Sequence, residues 1–281
     1  MRFLESIAAH RSQRRALLAA NFYNAETLLG VLRAAKAVEG EVILQTSPST
    51  LDYLGGVQLA AAMARDAARQ MGVIAWLHLD HATDSKLIES CVRHGYDSVM
   101  IDASELDFAT NVNRTREIVR LAHAKGVAVE AELGYVPKLG QADVTEAGLT
   151  TPEDAAKFVA GTGVDLLAVA IGTAHGFYKN APKLDYERLG AIRAAVDTPL
   201  VLHGGSGLDP EQWREAIRRG IVKINFATEI KDTFTRRVKQ SLMSSSEIDL
   251  RKTFSPAIEA VTELVAAKIN ICQMTGTGAS L

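Results

Sequence analysis

VIAWLHLDH (73–81), with DSKLIESCVRHG (84–95) close behind it, decides how this chain folds. The first segment is a short apolar run that turns polar at its end. The second has helical periodicity and stops at a glycine, the residue favoured just past a helix C-terminus. Together they form one strand–helix unit. The same pattern recurs outward in both directions, with strand-like runs at LLAANF (17–22), EVILQTS (41–47), SVMIDAS (98–104), VAVEAELG (127–134), DLLAVAIG (165–172), PLVLHGG (199–205) and VKINFA (222–227). Helix-like stretches such as AETLLGVLRAAKAVEG, NVNRTREIVRLAHAKG and DPEQWREAIRRG separate them. Eight alternating units predict a closed parallel α/β barrel, a (β/α)8 TIM barrel with extra C-terminal helices, as one domain over 1–281. A doubly wound open sheet is the alternative. It has little support, because no G-x-G-x-x-G follows the first strand.

Polar residues gather where these strands end. Asn21, Ser47, Asp80 with His81, Asp102, Glu132, His175, His203 with Ser206, and Asn225 with Thr228 fall at or just past the C-terminal ends of successive runs, the face on which barrel enzymes work. One such residue alone is as often a helix cap. Three of them are histidines from different strands, and neutral imidazoles so delivered can hold zinc with a position left open for substrate. Asp80 is placed to move protons beside them. The GGSG that follows His203 offers backbone amides to a phosphate.

The bulk properties narrow the partners. A formal charge of −2 over 281 residues and a pI near 6.4 provide no basic field for nucleic acid, and no basic amphipathic run suggests a membrane surface. A small molecule is the expected partner. MRFLESIAAHRSQRR lacks the apolar core of a signal peptide, and the longest apolar stretch, FVAGTGVDLLAVAIG, is broken by Asp165 and glycines. Cys91 and Cys272 are far apart, which fits a reducing cytoplasm.

LHLDH, SVMIDAS, VEAELG, AVAIGTAHG, PLVLHGGSG and VKINFATE, in that order, closely resemble the motifs of class II zinc-dependent ketose-bisphosphate aldolases, and Ala227 in NFATE resembles the tagatose-bisphosphate branch. The resemblance runs from about Leu17 to the C-terminal helices. It implies a zinc ion on His81, His175 and His203, with Asp80 as acid/base at the carbon 4 oxygen of a ketose 1,6-bisphosphate. Cleavage between carbons 3 and 4 would then leave dihydroxyacetone phosphate and an aldehyde such as glyceraldehyde 3-phosphate.

The same resemblance implies a phosphate site on Gly176, Gly204, Ser206, Asn225 and Thr228, with a monovalent cation, Na+ or K+, on nearby carbonyls. Asn21 would contact substrate hydroxyls and Ser47 would lie near the distal phosphate. Arg251 would reach that phosphate from a neighbouring subunit of a homodimer or homotetramer. The plain alternative for Arg251 is a solvated residue at a helix start. Asp102 and Glu132 match positions near the zinc or an alternative metal position; the competing reading is that they orient His81 and His203. By strand period Glu130 points the same way as Glu132, and pairing with a cation would allow its burial. His78 is expected to be a hydrogen-bonded barrel residue.

One segment departs from the family. Relatives carry a GGxED-type loop whose glutamate handles the proton at carbon 3, and this chain reads YVPKLGQADVTEAGLTTPEDA instead. Asp143 is the substitute expected there, with Glu146 as the alternative. The tail, ending GTGASL, differs as well. Two other readings follow: an aldolase specialised for another phosphorylated ketose with a different distal group, and a non-catalytic sugar-phosphate binding protein.

Overall fold

The computed structural model describes residues 2–137, 148–178 and 182–274. Eight parallel strands, β1 (Leu17–Asn21), β2 (Val42–Thr46), β3 (Ala75–Ala82), β4 (Ser98–Ile101), β5 (Ala128–Leu133), β6 (Leu166–Val169), β7 (Leu200–Leu202) and β8 (Ile221–Phe226), close into a barrel in chain order. Each lies largely within its predicted run. The strands are buried on both faces, which is why they read as nearly unbroken Val, Ile, Leu and Ala stretches.

Around the barrel run α2 (Ala25–Ala37), α3 (Pro48–Tyr53), α4 (Val57–Met71), α5 (Ser85–Arg93), α6 (Phe108–His123), α7 (Pro152–Thr162), α8 (Tyr186–Ala195), α9 (Pro210–Arg218), α10 (Thr228–Ser244) and α11 (Leu250–Gln273). Short side chains set their starts. Asp84, Asp107, Thr151, Asp185, Asp209 and Asp249 each accept a backbone N–H of the first helical turn, and Pro152 and Pro210 follow two of these caps directly. Gly72 and Gly163 end α4 and α7 in the left-handed conformation. Of the additional C-terminal helices, α11 packs on both α2 and α10. Gly30 permits the first of these contacts, because a Cβ there would sit 2.7 Å from Val261 Cγ1.

The barrel interior has two unlike levels. At the N-terminal end Leu17, Ala19, Ile43, Ala128, Leu166, Ala168 and Val201 form an apolar plug. It is sealed from below by α1 (Phe3–Ser12). Phe3 and Ile7 of α1 join this cluster, and the Phe3 ring lies 5.8 Å from that of Trp76. One strand period further on, the interior turns polar with Asn21, Gln45, His78, Asp80, Ser98, Glu130, Glu132, His203, Lys223 and Asn225, all buried. No helix among the described residues is long and apolar enough to cross a membrane.

Candidate active site

Asp80 and His81 are neighbours in β3, and in a regular strand they would point to opposite faces. The pairing of β3 with β4 shifts register between Leu79 and Ala82, and His81 adopts φ of 48°, a left-handed conformation rare for a residue with a Cβ. This bulge brings both side chains into the barrel mouth. His81 meets His175, from the loop after β6, at 4.9 Å between ring centroids, and His203, just past β7, at 4.7 Å.

Ligand atoms of His81, His175, His203 and Glu132 all lie within 4.8 Å of one another. Buried His81 Nε2 makes no hydrogen bond among the described residues, and His203 Nδ1 and Glu132 Oε2, 2.8 Å apart, have no partner among them besides each other. Unsatisfied buried lone pairs are costly, and their convergence fits a divalent cation at the centre. The outer nitrogens are anchored as metal-binding imidazoles usually are: His81 Nδ1 on Asp102 Oδ2 at 2.7 Å, and His203 Nε2 on Glu130 Oε1 at 3.0 Å.

The carboxylates therefore stand in different places. Asp102 lies outside the converging group, engaged by His81 and by the Ser104 hydroxyl at 2.7 Å. Glu132 is inside it, with Oε2 2.8 Å from His203 Nδ1. Asp102→Ala should weaken metal binding or activity by about 10–100-fold, the usual cost of losing such an anchor. Metal titration with turnover measured in parallel checks this.

Charge is distributed unevenly over the three rings. Burial, and then repulsion from His81 and His203, lowers His175 to about 3. Burial also opposes a charge on His203, but the hydrogen bonds and charges of Glu130 and Glu132 override it and raise that ring to about 10. The site thus demands positive charge beside its two glutamates.

Beneath the histidines a hydrogen-bonded chain fixes Asp80. Lys223 Nζ lies 2.8 Å from Glu130 Oε2 and donates to Asn225 Oδ1 at 2.7 Å. Asn225 Nδ2 donates to Asp80 Oδ1 at 3.1 Å, Asn21 Nδ2 to Asp80 Oδ2 at 3.2 Å, and Gln45 Nε2 to Asn21 Oδ1 at 2.9 Å. Lysine can only donate, so Asn225 must offer it the oxygen and turn the NH2 toward Asp80. Burial works against the Asp80 charge, yet His81, His203 and Lys223 hold its carboxyl below the ordinary value. His78 is a barrel residue bonded to Ser98 Oγ at 2.6 Å.

A narrow cleft above Asp80 is lined by Asn21, His175, Gly176, Gly204, Gly205, Ser206, Asn225, Ala227 and Thr228. Ser206 Oγ accepts the N–H groups of Ala227, Thr228 and Glu229 at 3.1–3.4 Å, which aims the start of α10 at the cleft. Gly204 has φ of 70°, and a Cβ there would collide with the Ala174 carbonyl. Tyr178 binds the two loops together by accepting from Ala174 N at 3.0 Å and donating to Gly204 O at 2.8 Å.

Beside this cleft is a larger cavity of about 440 Å³, lined by Tyr23, Asn24, Thr27, Ser49, Thr50, Tyr53, Lys231, Phe234 and Thr235. Burial, and then the charge of Asp80, holds the Tyr23 phenol well above its ordinary value, so the cavity lies within electrostatic reach of Asp80. Ser47 does not line it; as the N-cap of α3 it bonds to Ser49 and Thr50 of the wall. Arg251 is exposed at the start of α11 with its guanidinium on Asp249, and it lines neither space. Asp143 and Glu146 lie outside the described residues.

Lys223, Gln45, Tyr23 and Tyr178 escape the sequence reading. Lys223 and Gln45 had a usable signal, since each shares a strand face with a candidate two residues on, Asn225 and Ser47. Tyr178 had none.

Known proteins share this fold along nearly the whole chain. The YdjI aldolase from Escherichia coli K12 is 33% identical, superposes with a TM-score of 0.86, and the match covers 97% of each chain. Fructose-bisphosphate aldolase (Fba) from Campylobacter jejuni, 22% identical over 98% of this chain and 95% of its own, shares the fold with a TM-score of 0.82. The family described as fructose-bisphosphate aldolase class-II matches residues 2–277. A closed eight-stranded barrel with imidazoles and a carboxylate converging at its mouth, matched along nearly its whole length, places the chain in the class II fructose-bisphosphate aldolase family, the metal-dependent carbon–carbon lyases.

Proposed function

We propose that this aldolase cleaves a ketose 1,6-bisphosphate of the tagatose or fructose type, reversibly, to dihydroxyacetone phosphate and an aldehyde such as glyceraldehyde 3-phosphate. The observation that carries the proposal is Asp80, held by two carboxamides between the converging histidines and the cleft at the start of α10. The phosphate of the dihydroxyacetone half sits in that cleft on the loop of Gly204 and Ser206 and at the positive start of α10 beside Thr228, with Gly176 leaving room for it. Asn21 and Asn225 orient the Asp80 carboxylate toward the carbon 4 hydroxyl. Asp80 takes that proton, the bond between carbons 3 and 4 breaks, and the electron pair stays with the dihydroxyacetone phosphate half. Zinc on His81, His175 and His203, with Glu132 as an alternative donor, would supply Lewis-acid stabilisation of that charge. We assign the proton at carbon 3 to Asp143, with Glu146 as the alternative.

The aldehyde half extends into the cavity between Tyr23, Tyr53 and Lys231. Its aromatic walls favour a second reading in which the distal group is larger or lacks a phosphate. A loop cation, Na+ or K+, and a homodimer or homotetramer in which Arg251 serves a neighbour's distal phosphate complete the proposal. Unpaired, buried Cys91 and Cys272 suit a cytoplasmic location.

A retro-aldol assay over ketose mono- and bisphosphates, trapping both products, tests the reaction and its substrate together. Dihydroxyacetone phosphate should appear with zinc and vanish on chelation. Release of a different three-carbon fragment, or turnover that survives complete metal removal, would refute it. Equal rates with and without a distal phosphate would favour the second reading.

A further inference from the structure

At the opposite end of the barrel from Asp80, a cavity of about 180 Å³ is walled by six arginines: Arg11 in the last turn of α1, Arg14 and Arg15 just after it, Arg193 on α8, and Arg218 and Arg219 at the end of α9. Its floor is Gly220 and the start of β8. Three carboxylates answer these guanidiniums. Asp197 is shared by Arg11 at 3.3 Å and Arg193 at 3.9 Å, but its side chain is fully exposed and holds them weakly. Glu215 is shared by Arg218 and Arg219, and Glu211 by Arg218 and Arg214. The side chain of Arg14 makes no ion pair or hydrogen bond with the described residues, and Arg15 Nε is buried without a partner among them.

A cluster so short of carboxylate is electrostatically unfavourable unless an anion completes it. The packing keeps it together nonetheless. Arg14 takes a left-handed φ of 52° in the turn that carries the RSQRR segment (11–15) to the cavity wall. Arg193 lies flat over Gly220, where a Cβ would be 2.8 Å from its Cδ. Burial, and then the neighbouring Arg11, destabilises the Arg193 charge, as expected of cations gathered without enough counter-charge.

We propose that this cavity is a further anion site, separate from the catalytic centre and built for a phosphate group, free or carried on a small metabolite. The space accommodates one tetrahedral oxyanion with part of its substituent, and guanidinium forks match its oxygens in pairs. Because the site and the catalytic cleft lie at opposite barrel ends, phosphate bound here leaves the substrate site open.

Equilibrium dialysis of the full-length, metal-loaded enzyme against radiolabelled inorganic phosphate should find the sites of the catalytic centre and one more. The double variant Arg15→Gln, Arg193→Gln should weaken one of them about tenfold or more, the scale of a lost charge-assisted contact, with the retro-aldol kcat and KM unchanged. If that protein folds poorly, the exposed single variant Arg14→Gln should still weaken the same site several-fold. Glucose 6-phosphate and AMP, with glucose as the uncharged control, distinguish an esterified from a free phosphate by which binds more tightly. Unaltered affinity at every site in both variants, or no site beyond those of the catalytic centre in the wild type, would overturn the proposal. So would a variant that changes the oligomeric state in light scattering yet binds phosphate normally, because the cavity would then seat an acidic segment of another subunit.

Discussion

Asp80→Ala should bind metal as the wild type does and turn over roughly 10²–10⁴-fold more slowly, the range for a lost general acid/base. The residue lies beneath the cleft and outside the group of ligand atoms, so its removal takes away the proton acceptor and leaves the imidazoles in place. Asp80→Asn should do no better, although it is nearly isosteric. Its NH2 would face one of two carboxamide donors, and Asn225 cannot flip to accept because Lys223 holds its oxygen. Single-turnover rates with metal content measured on the same samples decide the matter. A wild-type rate in the metal-loaded alanine variant would reassign the base.

Lys223→Met is expected to be the most damaging single change to stability among the site's neighbours. Lys223 and Glu130 are both fully buried, and removing one partner of a buried pair costs about 3–5 kcal/mol because the other charge is left uncompensated. His203 would then be the nearest cation to Glu130, at 3.0 Å, and it is already shared with Glu132. Adding Glu130→Gln should recover much of the loss, since the double variant buries no lone charge. Denaturant midpoints for the two single variants and the double variant measure this. A strictly additive loss would mean that the pair is not coupled as its 2.8 Å separation implies.

How much of this was legible beforehand depends on the kind of signal. Strand positions were readable because a parallel barrel buries both faces of each strand, so β2 and β5 appear as EVILQTS and VAVEAELG whatever surrounds them. His81, His175 and His203 were readable because a polar residue at a strand end interrupts that pattern. The covering role of α1 was not, because the barrel it closes exists only once all eight strands have come together. The division between Asp102, outside the ligand group, and Glu132, inside it, was equally hidden. Both sit at strand ends, and which one faces the centre depends on register across neighbouring strands rather than on local sequence. Lys223 shows a different failure: a lysine inside a strand suggests an edge or a surface, unless one counts that its partner Glu130 lies on the inner face of another strand.

The bulge at His81 bears on any attempt to rebuild this chemistry elsewhere. Copying three histidines and an aspartate onto an idealised barrel with regular strands would send residue 81 outward, among the helices, while residue 80 faced in. The unit to transplant is the irregularity itself: the register slip between Leu79 and Ala82 together with the left-handed backbone of His81. A designer would have to choose a backbone that idealisation normally removes, and supply an anchor in the role of Asp102 to stop the ring swinging back.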